Sequence, residues 1–421
     1  MPLFQTIATE IDARIRSGQY RPGEKIPSMR RLAAEFGCNK LTVQKAFDEL
    51  KQQGVLENRV GSGTFVRFPD KPAAGVAAYD FHNDYICESF FPHPLAREIF
   101  CELFDTHRAA AFASAPVQGD PALIKTLGEQ YHLPTRNLFV VSGAQQGLDL
   151  TAKVFASRIS DTMLFEDPTY PGAISLFKAR HFVPLSDDGP DMDRLAARLS
   201  GQIRLFYTMP AVHNPTGISY SLDKKRAIAR LSRNRPFFII EDDYLSELQR
   251  EALPRFVDLV PEKTIFVKSL SQTTVEGLRL GFMSVPDSLR GHFLNAKYTS
   301  DISSAGLLQK FATRFIRSGA AEAHVKRVRQ RADERRDRLV ALMASFRDLT
   351  LRLPQPGVNL WVRSRRPLDL PDAPWRRGRD FSFSPGIDHW FRLSYLNMDD
   401  DTFGRGLKYL RQLLDRLLTM T

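Results

Sequence analysis

Cysteine is scarce: Cys38, Cys87 and Cys101 are the three in 421 residues, scattered and never in Cys-x-x-Cys spacing. Neither a disulfide framework nor a zinc site is expected from an odd, dispersed set, and reduced thiols are the plain reading. Long apolar runs are missing too. No stretch of about 18 apolar residues occurs, so no membrane-spanning helix is expected. The opening residues are amphipathic rather than charged and then apolar, which argues against a leader. Together these features lead us to expect a cytoplasmic protein with no membrane partner. Internal repeats and low-complexity segments are also absent, so neither a solenoid nor a long disordered tract organises the chain.

What the chain does have is an apolar fraction of 43% in a length that suits more than one domain, each with its own core. Basic residues exceed acidic ones by a net +11. Such a balance suits a polyanionic partner. Residues 1–68 carry only +4 of it and the remainder +7, so charge alone does not locate a nucleic-acid site.

In residues 1–68, Ile7, Ile11 and Ile15 recur every four residues, the apolar stripe of a helix that ends at Ser17-Gly18. Arg21-Pro22-Gly23 makes a turn, and Pro27-Ser28 opens a second helix with a capping hydroxyl and Leu32, Ala33 and Phe36 inward. Gly37-Cys38-Asn39 breaks it. Asn39 is a good N-cap for a third helix whose inward face is Val43, Ala46, Phe47 and Leu50. Two helices joined by a tight glycine-containing turn make a helix-turn-helix. The alternating Val55–Asn58 and Thr64–Val66 around Gly61-Ser62-Gly63 add a hairpin wing.

These residues resemble the GntR-type winged helix over essentially the whole segment. The matching motifs are Gly18-x-Tyr20-x-Pro22-Gly23, Ile26-Pro27-Ser28-x-Arg30-x-Leu32-Ala33, Thr42-Val43-x-x-Ala46 and Gly61-x-Gly63-Thr64-Phe65-Val66. The resemblance implies double-stranded DNA as partner. Arg30 would contact phosphate or a base, and Asn39, Lys40, Thr42 and Gln44 would line the start of the recognition helix. Polar side chains at a helix start reach base edges in the major groove. Gly61 and Gly63 let the wing backbone approach the sugar-phosphate chain. Residues 69–79, with two prolines, small residues and no periodicity, are expected to be a short linker.

From residue 80 to 421 the expected class is α/β. Apolar strands at 139–141, 162–165, 203–208, 237–240, 264–267 and 282–285 alternate with helix-length amphipathic stretches, which argues for a mainly parallel sheet covered by helices. A charged helix over 321–349, strands at 358–362 and 390–395 and a last helix from about Asp400 should follow. Ligands on such sheets sit at the carboxyl ends of the strands, where the unusual residues fall.

Ser142-Gly143-Ala144-Gln145-Gln146 places small residues and free amides at a helix start, a cradle for phosphate. Tyr170 follows a strand on a tight turn, Asn214 opens Asn-Pro-Thr-Gly, and Glu241-Asp242-Asp243-Tyr244 ends another strand. Residues 269–281 read Ser-Leu-Ser-Gln-Thr-Thr-Val-Glu-Gly-Leu-Arg-Leu-Gly. In order and spacing, the motifs of residues 140–395 resemble the fold-type I aminotransferases, which use pyridoxal phosphate (PLP). With the winged helix in front, the whole chain is similar to the MocR subfamily of bacterial transcription regulators.

That resemblance implies the site. Gly143, Ala144, Gln145, Ser269 and Arg279 would hold the cofactor phosphate, and Tyr170 would stack on its ring. Asn214 and Tyr244 would face the ring hydroxyl, and Asp242 would pair with the pyridine nitrogen. Arg392 would bind the carboxylate of a substrate or effector. The position of the cofactor lysine is taken by Gln272, with Ser269 three residues before it and Arg279 seven after. A carboxamide cannot condense with the cofactor aldehyde as an amine does. Lys268, one residue before Ser269 on a strand, should point to the opposite face.

Two further departures stand out. Ser114 occupies the place of a tyrosine, with Phe112 nearby, and residues 81–92 lack the glycine-rich substrate-side entry. The leading reading is a homodimeric transcription regulator without aminotransferase activity or metal, and with no catalytic residue. It would sense PLP, pyridoxamine phosphate (PMP) or a PLP–amino acid adduct noncovalently as its small-molecule effector. Two other readings are a lysine-less PLP/PMP-dependent enzyme and a ligand-free dimerisation scaffold.

Overall fold

In a computed structural model, the described residues are 2–16, 19–20, 23–59, 63–67, 79–155, 162–177, 181–199, 202–249, 251, 253–271, 274, 276–352, 357–368, 370, 373–419. Gly18, Arg21, Pro22, Gly61, Ser62, Gln272 and the linker segment 69–78 lie outside them.

The N-terminal unit is three helices and a hairpin: α1 (Leu3–Arg16), α2 (Met29–Glu35), α3 (Lys40–Gln52), β1 (Leu56–Arg59) and β2 (Gly63–Val66). Both expected caps form. The Ser28 hydroxyl accepts from the Arg31 amide, and Asn39 Oδ1 accepts from the Thr42 amide at 2.8 Å. The isoleucine stripe of α1 meets the inward faces of the other two helices in a core of Ile7, Ile11, Leu32, Val43, Phe47 and Leu50. The wing pairs antiparallel from Leu56 opposite Val66 to Arg59 opposite Gly63. Gly63 sits at φ +114, a backbone conformation that favours glycine, with the flexible end of the Lys25 side chain beside it.

In the larger unit, helices α4 (His93–His107) and α5 (Pro121–Tyr131) precede strand β3 (Leu138–Val141) and helix α6 (Ala144–Val154). The sheet continues with β4 (Met163–Asp167), β5 (His181–Ser186), β6 (Gly189–Pro190), β7 (Leu205–Thr208), β8 (Phe238–Asp243), β9 (Thr264–Ser269) and β10 (Gly281–Ser284). Its order is β3-β10-β9-β8-β7-β4-β5-β6. Strands β5, β4, β7, β8 and β9 run parallel, and β10 is antiparallel to both neighbours. Strands buried on both faces have no polar side to alternate, which explains why the sequence shows them as continuous apolar runs.

A second, antiparallel sheet is ordered β11-β12-β14-β13, with β11 (Leu349–Arg352), β12 (Asn359–Ser364), β13 (Arg376–Arg377) and β14 (Trp390–Ser394). The charged helix before it ends at Ala344, five residues short of the expected limit, because Leu349 opens β11 instead. Tyr79, placed in the linker by composition, lies with its ring 5.3 Å from that of Tyr409 in the last helix, Asp400–Thr419. Among the described residues no helix is long and apolar enough to cross a membrane.

The Asn39 cap yields a stability prediction. Asn39→Ala should cost about 1 kcal/mol and Asn39→Asp much less, because only the alanine removes the acceptor for the first helical amides. Chemical denaturation of the two variants checks it.

Candidate functional site

Two surfaces matter, one in each unit. On the winged helix, Arg30, Arg31, Lys40, Gln44 and Lys45 stand at or near the surface. Leu41 is 67% exposed on the same helix, so α3 shows solvent a face of Leu41, Gln44, Lys45 and Asp48. Asn39 and Thr42 also fix the helix start: Asn39 Oδ1 accepts from the Thr42 hydroxyl at 3.0 Å. Lys45 was missed by motif reasoning, although its position one residue after Gln44 on α3 gives the signal.

The second site is built by the carboxyl ends of the parallel strands. At the end of β8 the alternation of side chains divides two neighbouring carboxylates. Asp243 stands opposite Lys268 in the parallel register of β8 and β9, and Asp242 opposite Val267. Lys268 is fully buried, with Nζ 3.1 Å from Asp243 Oδ1 and 2.6 Å from Glu247 Oε2. That ion pair lies on the face away from Asp242, as the alternation argument expected for Lys268. Ser269 and Val267 share the other face, where helix α6 packs so closely that a Cβ on Gly147 would meet the Val267 side chain at 2.8 Å.

Asp242 is 4% exposed, and the Tyr207 hydroxyl donates to its Oδ2 at 2.6 Å. Its other oxygen, Oδ1, is buried with no hydrogen-bond partner among the described residues. Burial pushes this carboxyl up to about 7, while the Tyr207 hydrogen bond pulls the other way. A carboxylate with one oxygen satisfied and one waiting fits the protonated nitrogen of a pyridine ring. Tyr207 itself was not found from the sequence; its position at the end of an apolar run made it read as core.

At the other end of the pocket the helix α6 start supplies amides that have no intrahelical partner. Gly143 is at φ +80, and a Cβ there would lie 3.1 Å from Arg279 Nη2, so the guanidinium closes over the turn. Arg279 is itself held at φ +48, a conformation that residues other than glycine rarely adopt. Ser269 and this turn are brought together by the pairing of Gly281 with both Ser269 and Val141. The set fits a phosphate: one delocalised cation, a hydroxyl and a helix start.

Tyr170 hydrogen-bonds to Gln145 at 3.4 Å and lies against Gly172. Burial raises its hydroxyl to about 12, and the nearby Asp84 and Asp242 push the same way. Tyr244 is buried, accepts from Asn359 at 3.2 Å and senses the charges of Asp84 and Arg392. Arg392 is buried too. Its Nη1 donates to Asn214 Oδ1 and to Asp84 Oδ2, each at 2.8 Å. Asn214 Nδ2 reaches the same Asp84 oxygen at 2.8 Å. The structure thus brings Gly143, Tyr170, Asn214, Asp242, Tyr244, Ser269, Arg279 and Arg392 to one edge of the sheet. It adds Asp84, which sequence reasoning passed over even though residues 81–92 had stood out as a departure.

The family described as Bacterial regulatory proteins, gntR family, matches residues 3–66, and Aminotransferase class I and II matches residues 106–410. The "Probable rhizopine catabolism regulatory protein MocR" of Rhizobium meliloti is 25% identical over 98% of this chain and 93% of its own length. The uncharacterized HTH-type transcriptional regulator YcxD of Bacillus subtilis (strain 168) is 27% identical over 83% of this chain and 82% of its own. Among solved structures, LysN, the α-aminoadipate aminotransferase of Thermus thermophilus complexed with N-(5'-phosphopyridoxyl)-L-leucine, superimposes with a TM-score of 0.75. It is 25% identical and covers 82% of this chain and 94% of its own.

The raised Asp242 gives a prediction with a definite sign. The folded state holds this proton more tightly than the unfolded one, so its contribution is present below about pH 4 and lost as pH rises to about 7. Asp242→Asn, which keeps an acceptor for Tyr207, should stabilise the ligand-free protein by roughly 2–4 kcal/mol near pH 8. The gain should shrink as pH falls toward 4. Thermal melts of both proteins across that range check it, and a gain that does not depend on pH would contradict it.

Proposed function

Because the chain belongs to the aminotransferase class I and II family through residues 106–410, behind a gntR-family domain at residues 3–66, we propose that it is a DNA-binding transcription regulator that responds to a vitamin B6 phosphate ligand, held noncovalently and without transamination. Residues 1–68 would be the DNA-binding unit and 80–421 the effector-binding and dimerisation unit, joined by 69–79.

One pairing carries the reading. A basic helix pair at the surface stands in the unit whose family reads DNA, and a pocket with an unpartnered buried carboxylate oxygen and a phosphate cradle stands in the other. The aminotransferase fold implies PLP binding. PLP or PMP would supply a pyridine nitrogen for Asp242, a phosphate for Gly143, Ala144, Gln145, Ser269 and Arg279, and a ring hydroxyl for Asn214 and Tyr244. Tyr170 would cover the ring. Gln272 brings no amine to the lysine position, and the Lys268 amine is held by Asp243 and Glu247. The carboxamide supports reversible binding and no catalysis. Two copies of the larger unit would present two winged helices to a two-fold operator, with Arg30, Asn39, Lys40, Thr42, Gln44 and Gly61 at the DNA.

Two experiments test this. Arg30→Ala and Lys40→Ala should each weaken operator binding by about 1–3 kcal/mol if the residue reads a base, or flatten its salt dependence if it touches phosphate. Mobility shifts unchanged by both would remove the assignment. For the pocket, PLP should bind the natural protein reversibly, with no cofactor fixed to the chain by borohydride. Gln272→Lys should gain covalent, borohydride-fixable PLP and its absorption band. A variant that stays colourless in saturating PLP would leave the larger unit as a scaffold only.

A further inference from the structure

We propose that Asp84 fills, from within the chain, the place of a ligand's α-carboxylate, so that the pocket selects phosphorylated pyridine amines that carry no carboxylate. The inference rests on the vitamin B6 reading above and names the ligand class of that same site.

A guanidinium grips a carboxylate most firmly through two parallel N–H donors. Three of the five N–H groups of Arg392 are already engaged. Nη1 donates to Asp84 and Asn214, and Nη2 donates to the His82 carbonyl at 2.6 Å. Nε has no partner among the described residues and Nη2 has a second hydrogen, so a further carboxylate is opposed by the charge of Asp84 rather than by a want of donors. The ring of Phe381, centred 5.0 Å from the Arg392 guanidinium carbon, covers its flat face. The Arg392 side chain is 2% exposed and that of Asp84 31%, so the arginine's charge is met by Asp84 rather than by water.

The segment that delivers Asp84 is itself fixed. Asp80 accepts from the amides of His82 and Asn83 at 2.8 and 3.1 Å and from the Asn83 side chain at 2.8 Å. Phe81 is fully buried, donates its amide to the Pro374 carbonyl and accepts from the Ser394 amide, two residues beyond Arg392. Strand β14 and the segment 80–84 therefore hold the arginine and the aspartate in one frame. A second carboxylate entering here would face Asp84 at close range, with the Arg392 charge already neutralised. The Asn214 amide nitrogen carries two hydrogens, so its bond to Asp84 leaves one for a ring hydroxyl. The pocket can thus keep its cofactor contacts while refusing an amino acid's carboxylate.

The test uses a pair of probes that differ by one carboxylate: N-(5'-phosphopyridoxyl)ethylamine and N-(5'-phosphopyridoxyl)-L-alanine, titrated calorimetrically into the full-length protein with PLP and PMP alongside. The natural protein should prefer the ethylamine compound by about tenfold or more, since the alanine compound brings an unpaired buried charge. Asp84→Gly, which frees Arg392, should reverse the order. Asp84→Asn keeps the side chain's size and removes its charge, so it should at least equalise the two probes even if the glycine variant folds poorly. Equal or tighter binding of the alanine compound by the natural protein would overturn the role of Asp84 and leave the B6 reading standing. If neither probe, PLP nor PMP binds the natural protein or Asp84→Asn, the B6 reading falls and this inference with it.

Discussion

Two aspartates side by side at the end of β8 must each be neutralised in a dry interior, and most of the pocket follows from the way the strand separates them. Asp243 turns to one face and meets Lys268, its neighbour in the parallel register, with Glu247 as a second anion on the same ammonium. Asp242 turns to the other, where the Tyr207 hydroxyl is its hydrogen-bond donor. Carboxylates in low dielectric either find a cation or keep their proton. Burial pushes Asp243 upward, but Lys268 and Ser246 outweigh that and hold it below the usual carboxylate range. Asp242 has no ion-pair partner among the described residues, and burial pushes it up to about 7. A site arranged in this way stores a demand for a cationic partner.

The same logic runs in reverse at the far wall. Arg392 is a buried guanidinium, and the chain answers it with its own anion, Asp84, set by a segment anchored to the strand that carries the arginine. One side of the pocket is therefore left unpaired and the other closed by an internal pair. In a protein whose fold is shared with true aminotransferases, that asymmetry is consistent with the proposed role: a ring nitrogen and phosphate are recognised, and the substrate-side charge is already satisfied. It also gives Asn214 two duties, holding Arg392 through its oxygen and Asp84 through its nitrogen.

The winged helix shows a smaller version of the same economy of polar groups. Asn39 and Thr42 look on paper like base readers at the start of a recognition helix. In the fold they also hydrogen-bond to one another and to the helix amide, so the same pair sets the helix start beside an outward face of Leu41, Gln44 and Lys45. Orphan amides at a helix start must be satisfied by something, and the nearest side-chain oxygen does it.

The amino-acid sequence by itself determined the α/β class, the two units, the positions of the central strands β3, β4, β7, β8, β9 and β10 but not of β5, β6, β11 or β13, and the residues that gather at the strand ends. Each of these depends on local pattern: apolar runs, capping residues, and motifs whose spacing is short. The absence of an amine at position 272 was also legible there, since it is a matter of identity alone. Tertiary structure alone decided which groups are paired. That Asp84 would meet Arg392, 308 positions later, or Tyr207 reach Asp242 on the neighbouring strand, follows from sheet order and from the anchoring of an irregular segment, neither of which leaves a periodic trace in the chain. Pairing over such distances is set by the packing of the whole unit, and it is this pairing that leaves one pocket charge open and closes the other.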